Sequence, residues 1–341
     1  MARLAFWMIG GLIAALLGFM LIIGEDYSNL GFVLFGNGAK NQPDTIYYAE
    51  PAALGPVIIF VAIDQGFFEK QGLHVVPQKF SSGRLALDAV MTNNAQFGST
   101  SETPFMHSVL QGNDVVVIAT VSEHHEAKAI ARKDKGIAKP KDLKGKKVAT
   151  LPGTNSDYFM HLFLEKNGLR PSDLQIISMA PQEMVIALVR GDIDAYFAWE
   201  PHIFFAKKEL GNKSVIFDSD GLYNGMHAVV MQREFVNKNP ETVKKIIKAF
   251  LEAELFVKQN HEKTLEIAEL HTGMGREALD GIYNDYRYEV RLSQELIELL
   301  NKESEWAMDS GVSKAAKKPD FRESVYTDAL KEINSSRVKV K

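Results

Sequence analysis

The sequence predicts an α/β protein of two lobes behind an apolar N-terminal segment. Three observations carry this. From Thr45 onward, strand-like and helix-like segments alternate, the pattern of an open, mostly parallel sheet. After Glu126 the pattern begins again, so two similar α/β units stand in series. The residues past the N-terminal segment, about 300, also exceed what one hydrophobic core usually supports.

The first unit opens with "TIYYAE", a short strand. "GPVIIFVAIDQGFF" has the length and apolar content of a helix ending near Gly66. "HVVPQKF" reads as a strand, "SSGRLALDAVMTNN" as a helix opened by Ser81 and Ser82, and "AQFGSTS" as a strand. "TPFMHSVLQG" is a helix, with Thr103 expected as its N-cap and Pro104 at its first position. "DVVVIATV" is a buried strand. In the second unit, "KPKDLKGKKVATLPGTNSDYFMHLFLEKNGL" reads as a turn, a strand, a polar loop and a helix. "LQIISMA", the helix "PQEMVIALVRGD" and the strand "IDAYFAWEP" follow, and then the strands "KSVIFDS" and "GMHAVVMQREFV". From Asn239 the composition turns helical. Val243, Ile246, Ile247, Phe250 and Leu251 fall on one helix face. Helices continue to about Ser310, and the tail from Lys314 is basic and weakly patterned.

Residues 4–23 form an uncharged apolar run of 20 residues, enough for a helix to cross a bilayer. Arg3 precedes it and Glu25 and Asp26 follow, which places the remainder outside the cytoplasm. A cleaved signal has a shorter core and a small-x-small site, and the best candidate here, Asn37-Gly38-Ala39, is poor. Residues 1–24 are therefore expected to be a retained membrane anchor, with a cleaved signal as the alternative. Residues 25–44, rich in Gly and Asn, read as a linker, although the apolar patch 32–35 has no account in that role. Gly10, Gly11 and Gly18 give no helix-pairing motif, so a monomer is expected.

Composition narrows the function classes. The chain has no cysteine, which removes lipidation, disulfides, zinc-thiolate sites and thiol nucleophiles. A net charge of -4 gives no footprint for nucleic acid. Glu123-His124-His125-Glu126 looks metal-like, but alternate residues at a strand end face opposite ways, so a crossover or solvated loop is the expectation. No metal or cofactor site and no catalytic residue is expected.

Three loops carry the candidate chemistry: Ser81-Ser82-Gly83, Ser101-Glu102-Thr103 and Gly153-Thr154-Asn155-Ser156. Each follows a strand and opens a helix, whose unpaired N–H groups attract anions. Ligands of open α/β sheets bind beyond the carboxyl ends of strands. Singly, each loop reads as a helix cap; together, split between two lobes, they read as a ligand cleft.

Several segments bear a resemblance to a known family. They are "DQGFFEKQGL", "SSGRLALDAVMTNNAQFG", "GSTSETP", "KPKDLKGKKVATLPGTNSDYF" and "ALVRGDIDAYFAWEP". From Thr45 to Gln259 the chain resembles the periplasmic solute-binding proteins of ABC importers, in the branch of alkanesulfonate-, taurine- and nitrate-binding proteins, related in fold to thiamine-pyrimidine synthases. The resemblance implies a periplasmic-binding-protein type 2 fold behind the N-terminal transmembrane or signal helix. Lobe 1 would comprise residues 45–122 and 226–341, and lobe 2 residues 123–225, with crossovers near 119–123 and 225–230. It also implies that Trp199 walls the pocket and that Glu200 accepts hydrogen bonds from the ligand. Glu102 and Glu200 on one cleft would favour a cationic or amine-bearing ligand. Arg84 departs from the small or neutral residue expected at its position.

The implied function is capture of a small organic solute, sulfonate- or taurine-like or nitrate-like, between the lobes, for delivery to permease and ATPase subunits. The site would be periplasmic or at the cell surface, anchored by residues 4–23. An anchored sensory receptor and a pyrimidine-precursor binding protein are the alternatives. The related synthases carry a cysteine-rich motif that this chain lacks, so no enzyme is expected.

Overall fold

A computed structural model describes residues 44–125, 127–219 and 221–341. The expected anchor or signal 1–24, the linker residues up to 43, the patch 32–35 and the candidate cleavage site lie outside the described residues, as does Glu126 of the Glu-His-His-Glu cluster. Among the described residues no helix is long and apolar enough to cross a membrane.

The first lobe begins with β1 (Asp44–Pro51), α1 (Val57–Asp64), α2 (Phe67–Lys70) and β2 (Leu73–Phe80). β1 and β2 pair in parallel, from Asp44 opposite Leu73 to Pro51 opposite Phe80. The apolar helix ends near Gly66 as expected: α1 stops at Asp64 with Gln65 as its C-cap, and α2 follows from Phe67. Val57 to Ala62 are all buried, because α1 is covered on every side. α3 (Gly83–Met91), β3 (Phe97–Ser101), α4 (Glu102–Leu110) and β4 (Val115–His124) follow. The N-cap of α4 is Ser101, two residues before the expected Thr103, because Glu102 and Thr103 are already helical.

The second lobe contains β5 (Lys128–Arg132), β6 (Lys147–Thr150), α5 (Asn155–Lys166), β7 (Gln175–Ser178), α6 (Pro181–Arg190), β8 (Ala195–Ala198), α7 (His202–Leu210) and β9 (Ser214–Phe217). The chain then returns as β10 (Gly225–Gln232), α8 (Arg233–Lys238), α9 (Pro240–Gln259), α10 (His261–Thr272), α11 (Arg276–Ile282), β11 (Tyr286–Arg291), α12 (Gln294–Asp309) and α13 (Asp328–Ile333). β5 and β11 are elements that the sequence reading did not separate from their surroundings.

The sheets are mixed rather than mostly parallel. The first has order β11-β4-β10-β3-β1-β2 and the second β7-β6-β8-β5-β9. β10 is antiparallel to both β3 and β4. The reason is topological. The chain leaves the first sheet at the end of β4 and re-enters at the start of β10, so β10 must run back from the cleft edge. β5 enters the second sheet in the same way, antiparallel to β8 and β9. The passages between sheets fall between His124 and Lys128 and between Phe217 and Gly225.

α9 buries Val243, Ile246, Ile247 and Phe250, the face expected from spacing, and extends it through Ala253 and Val257. The Phe250 ring lies 5.8 Å from that of Phe68 and 6.3 Å from that of Phe97, joining helix, sheet and α2. Each such fully buried ring contributes roughly 1.5–3 kcal/mol of transfer free energy. The basic tail is folded onto this lobe: Arg337 donates to both carboxylate oxygens of buried Glu254, at 2.9 and 3.0 Å.

Candidate functional site

The loops at the carboxyl ends of β1, β2, β3, β6 and β8 meet where the lobes face each other. They border a cavity of about 10 Å³, about the room that one water needs. Ala53, Gly83, Arg84, Ser101, Pro104 and His227 line it from the first lobe, and Thr154, Asn155 and Trp199 from the second.

Local sequence explains how these groups arrive there. Ser82 caps α3, its hydroxyl oxygen accepting from the Leu85 N–H at 3.3 Å. Gly83 follows because a Cβ there would lie 2.8 Å from Thr100 Oγ1 and 2.9 Å from Thr100 Cα, so only glycine lets α3 start against β3. Ser101 ends β3 and begins α4. In the second lobe Thr154 precedes α5; its hydroxyl donates to the Leu151 carbonyl at 2.7 Å and lies 2.9 Å from Ser156 Oγ. Three helices thus present their first turns to one small cavity, each with unpaired N–H groups and partial positive charge.

The side chains add donors. Asn155 Nδ2 and both ring nitrogens of His227 have no hydrogen-bond partner among the described residues, and both residues are 2% exposed. Burial pushes the His227 imidazole well below its ordinary pKa of 6.5, and neighbouring His124 adds to this, so the ring is neutral at pH 7. Arg84 brings the cation of the cavity wall.

The two carboxylates sit elsewhere. Glu102 is fully buried, accepting from the Tyr223 hydroxyl and from the Met226 N–H at 2.7 Å. Thr103 donates at 2.6 Å to Glu303, a buried carboxyl on α12. Burial and the nearby Glu102 raise the Glu303 pKa well above its ordinary 4.5. Glu200 is 3% exposed, with one oxygen 3.6 Å from Lys128 Nζ and the other accepting the Phe204 N–H at 3.0 Å in the first turn of α7. Neither carboxylate lines the cavity, and the case for a cationic ligand rested on both doing so. The charged and amide groups that do line it, Arg84 and Asn155, are donors, and the His227 ring has one N–H to give.

Of the residues expected at the site, Gly83, Ser101, Thr154, Asn155 and Trp199 line this cavity. Gly153 lines an adjoining one of about 230 Å³, bounded also by Leu87, Met91 and Val312, by the polar Asp88, His107 and Gln111, and sharing Arg84 and Pro104 with the first. Ser81, Ser82, Glu102, Thr103, Ser156 and Glu200 line neither. His227, Ala53 and Pro104 were missed. His227 had a signal, being a lone imidazole in an otherwise apolar strand that restarts at the cleft. Of the other histidines singled out, His124 is buried and His125 Nδ1 lies 3.1 Å from the Tyr223 carbonyl, so the two point apart.

Hydrogen bonds clasp the lobes at three places among the described residues. Trp199 Nε1 donates to the Ala52 carbonyl at 3.2 Å, Arg84 Nη1 to the Pro152 carbonyl at 2.9 Å, and Lys128 Nζ to Asp285 at 3.1 Å. Burial opposes the Lys128 ammonium, but Glu200, Asp285 and Asp218 together hold its pKa above the ordinary value.

Known structures share this architecture. The periplasmic aliphatic sulphonate binding protein SsuA from Escherichia coli matches with a TM-score of 0.70 at 19% identity, over 83% of this chain and 98% of that one. The alkanesulfonate-binding protein SsuA from Xanthomonas axonopodis pv. citri bound to MOPS matches with a TM-score of 0.74 at 16% identity, over 84% and 99%. At these identities the likeness is one of fold, the periplasmic-binding-protein fold. In sequence, the taurine-binding periplasmic protein of Escherichia coli (strain K12) is 28% identical over 232 residues, 66% of this chain and 69% of that protein. A family model described as NMT1/THI5 like matches residues 56–264. That is more than half of the sequence, and the chain belongs to the NMT1/THI5-like family.

Proposed function

We propose that the protein is the extracytoplasmic binding component of an ABC importer and that it takes a small organic oxyanion, of the sulfonate or taurine class, between its lobes. The observation that carries this is the cavity itself, built from donors of both lobes with no carboxylate on its wall. Helix N-termini, the Asn155 amide and the His227 ring all offer hydrogens, which suits a group rich in acceptor oxygens. The reading draws support from the taurine- and sulfonate-binding relatives. The adjoining 230 Å³ cavity favours an organic substituent over a bare inorganic anion such as nitrate.

As closed here, the cavity admits a water but no sulfonate. Entry therefore requires the lobes to part about the two passages, and capture is their closing again. Permease and ATPase subunits are the partners in this reading, residues 4–23 hold the protein at the outer face of the membrane, and binding rather than catalysis is the activity.

The test is a thermal-shift and calorimetric series with taurine, ethanesulfonate, MOPS and nitrate. A ligand that binds only the folded state, at a hundred times its Kd, adds about 2.7 kcal/mol of stability. We expect a concentration-dependent rise in melting temperature with at least one sulfonate and a smaller effect of nitrate. No shift with any of the four overturns the reading.

A further inference from the structure

His227 is unusually placed for a histidine that only fills space. It stands on β10, opposite Ser101 of β3 and Ser122 of β4, at the cleft edge of the first sheet. Its ring presses on the backbone of Gly55: a Cβ at Gly55 would lie 2.5 Å from Nδ1, so no other residue fits at Gly55 without moving the ring. The position of the ring is thus fixed by the fold. The strand neighbours do not satisfy it. Ser122 donates its hydroxyl to the Gly55 carbonyl at 2.9 Å instead, and the His124 ring centroid is 6.5 Å away. Both nitrogens of a side chain 2% exposed remain without a partner among the described residues.

A neutral imidazole carries one N–H donor and one acceptor. Burying both unpaired costs stability, and an apolar side chain of similar size would avoid that cost. A fixed, unpaired donor on the wall of a ligand cavity is the arrangement of a group waiting for its acceptor. We propose that His227 donates a ring N–H to an oxygen of the bound oxyanion and so sets the preference of the cleft for oxyanions. This rests on the oxyanion reading above. The ring is neutral before binding, which leaves one N–H available and no charge to steer unrelated anions.

The proposal makes stability and affinity move in opposite directions. His227→Leu removes the unpaired nitrogens and the donor together. We expect its ligand-free melting temperature to equal or exceed that of the wild type. Its affinity for the best of taurine, ethanesulfonate and MOPS should fall roughly tenfold or more, the size of a lost hydrogen bond to a charged group. His227→Gln and His227→Asn keep an amide N–H near the two ring nitrogens, and one of them should hold affinity within a few-fold of wild type. A lower melting temperature for His227→Leu with unchanged affinity makes the ring structural and overturns the proposal. So does loss of both stability and affinity in all three variants. Wild-type protein that binds none of the three sulfonates removes the oxyanion reading, and this proposal with it. Wild-type binding that survives His227→Leu overturns this proposal alone.

Discussion

Glu303 is a residue whose charge state is tied to folding. It is wholly buried, and its proton lets two carboxyl groups coexist beside Thr103 and Tyr223. The folded protein therefore holds a proton that the unfolded chain releases above the ordinary pKa of 4.5. More protons bound in the folded state means stability that falls as pH rises from there toward the folded value. Glu303→Gln supplies an N–H permanently. Wild type should lose melting temperature between pH 5 and pH 8, and the variant should lose less; identical profiles would mean that the pair is not linked to folding. Glu200 gives a second test at this scale. Its oxygens belong to Lys128 and the Phe204 N–H, so Glu200→Gln should destabilise by about 1.5–3 kcal/mol, the range for a charged hydrogen bond. Sulfonate affinity, read by calorimetry, should change little. A tenfold affinity loss at unchanged stability would return Glu200 to the ligand.

At the level of elements, the seam between α9, β11 and the C-terminal segment turns on Glu254. Its carboxylate takes the Val290 N–H at 2.7 Å, Lys258 at 2.5 Å and Arg337. Arg337→Ala leaves a carboxylate that is 2% exposed with one cation fewer. We expect a loss of about 1–3 kcal/mol, visible as an earlier denaturant midpoint at unchanged slope. This seam was the part of the fold least legible in the sequence. The βαβ alternation and the α9 face were readable because their periods are local. β11 was hidden because "YRYEVR" is short and lies among helices; what makes it a strand is the β4 edge that it covers. The site divided along the same line. Backbone features, the helix starts at Gly83 and Asn155, followed from local cap and turn residues, whereas α4 begins two residues before the expected Thr103. The direction of a side chain did not, because Glu102 and Glu200 are claimed by Tyr223 and Lys128, more than seventy residues away in both cases.

Over the whole molecule, the lobes are joined by polar clasps at the cavity and by ring packing beside it, where Tyr158 and His161 of α5 lie 5.1 and 5.7 Å from Trp306 of α12. Trp199 to Ala52 and Arg84 to Pro152 are single hydrogen bonds, each contributing about 0.5–1.5 kcal/mol net. Removing both with Trp199→Phe and Arg84→Ala should shift the ligand-free protein toward an open form. X-ray scattering would show this as a larger radius of gyration, shrinking when ligand is added. An unchanged radius would mean that other contacts set the closure. The central place of β10 also bears on biosynthesis. It separates β3 from β4, yet it leaves the ribosome about a hundred residues after β4 is complete, a long and costly closure. Until then the first lobe has a gap through the middle of its sheet and must wait, unfinished, while the whole second lobe is translated. A chain stopped at residue 224 should therefore leave β1–β4 open to protease, and a chain extended through α9 should begin to protect them.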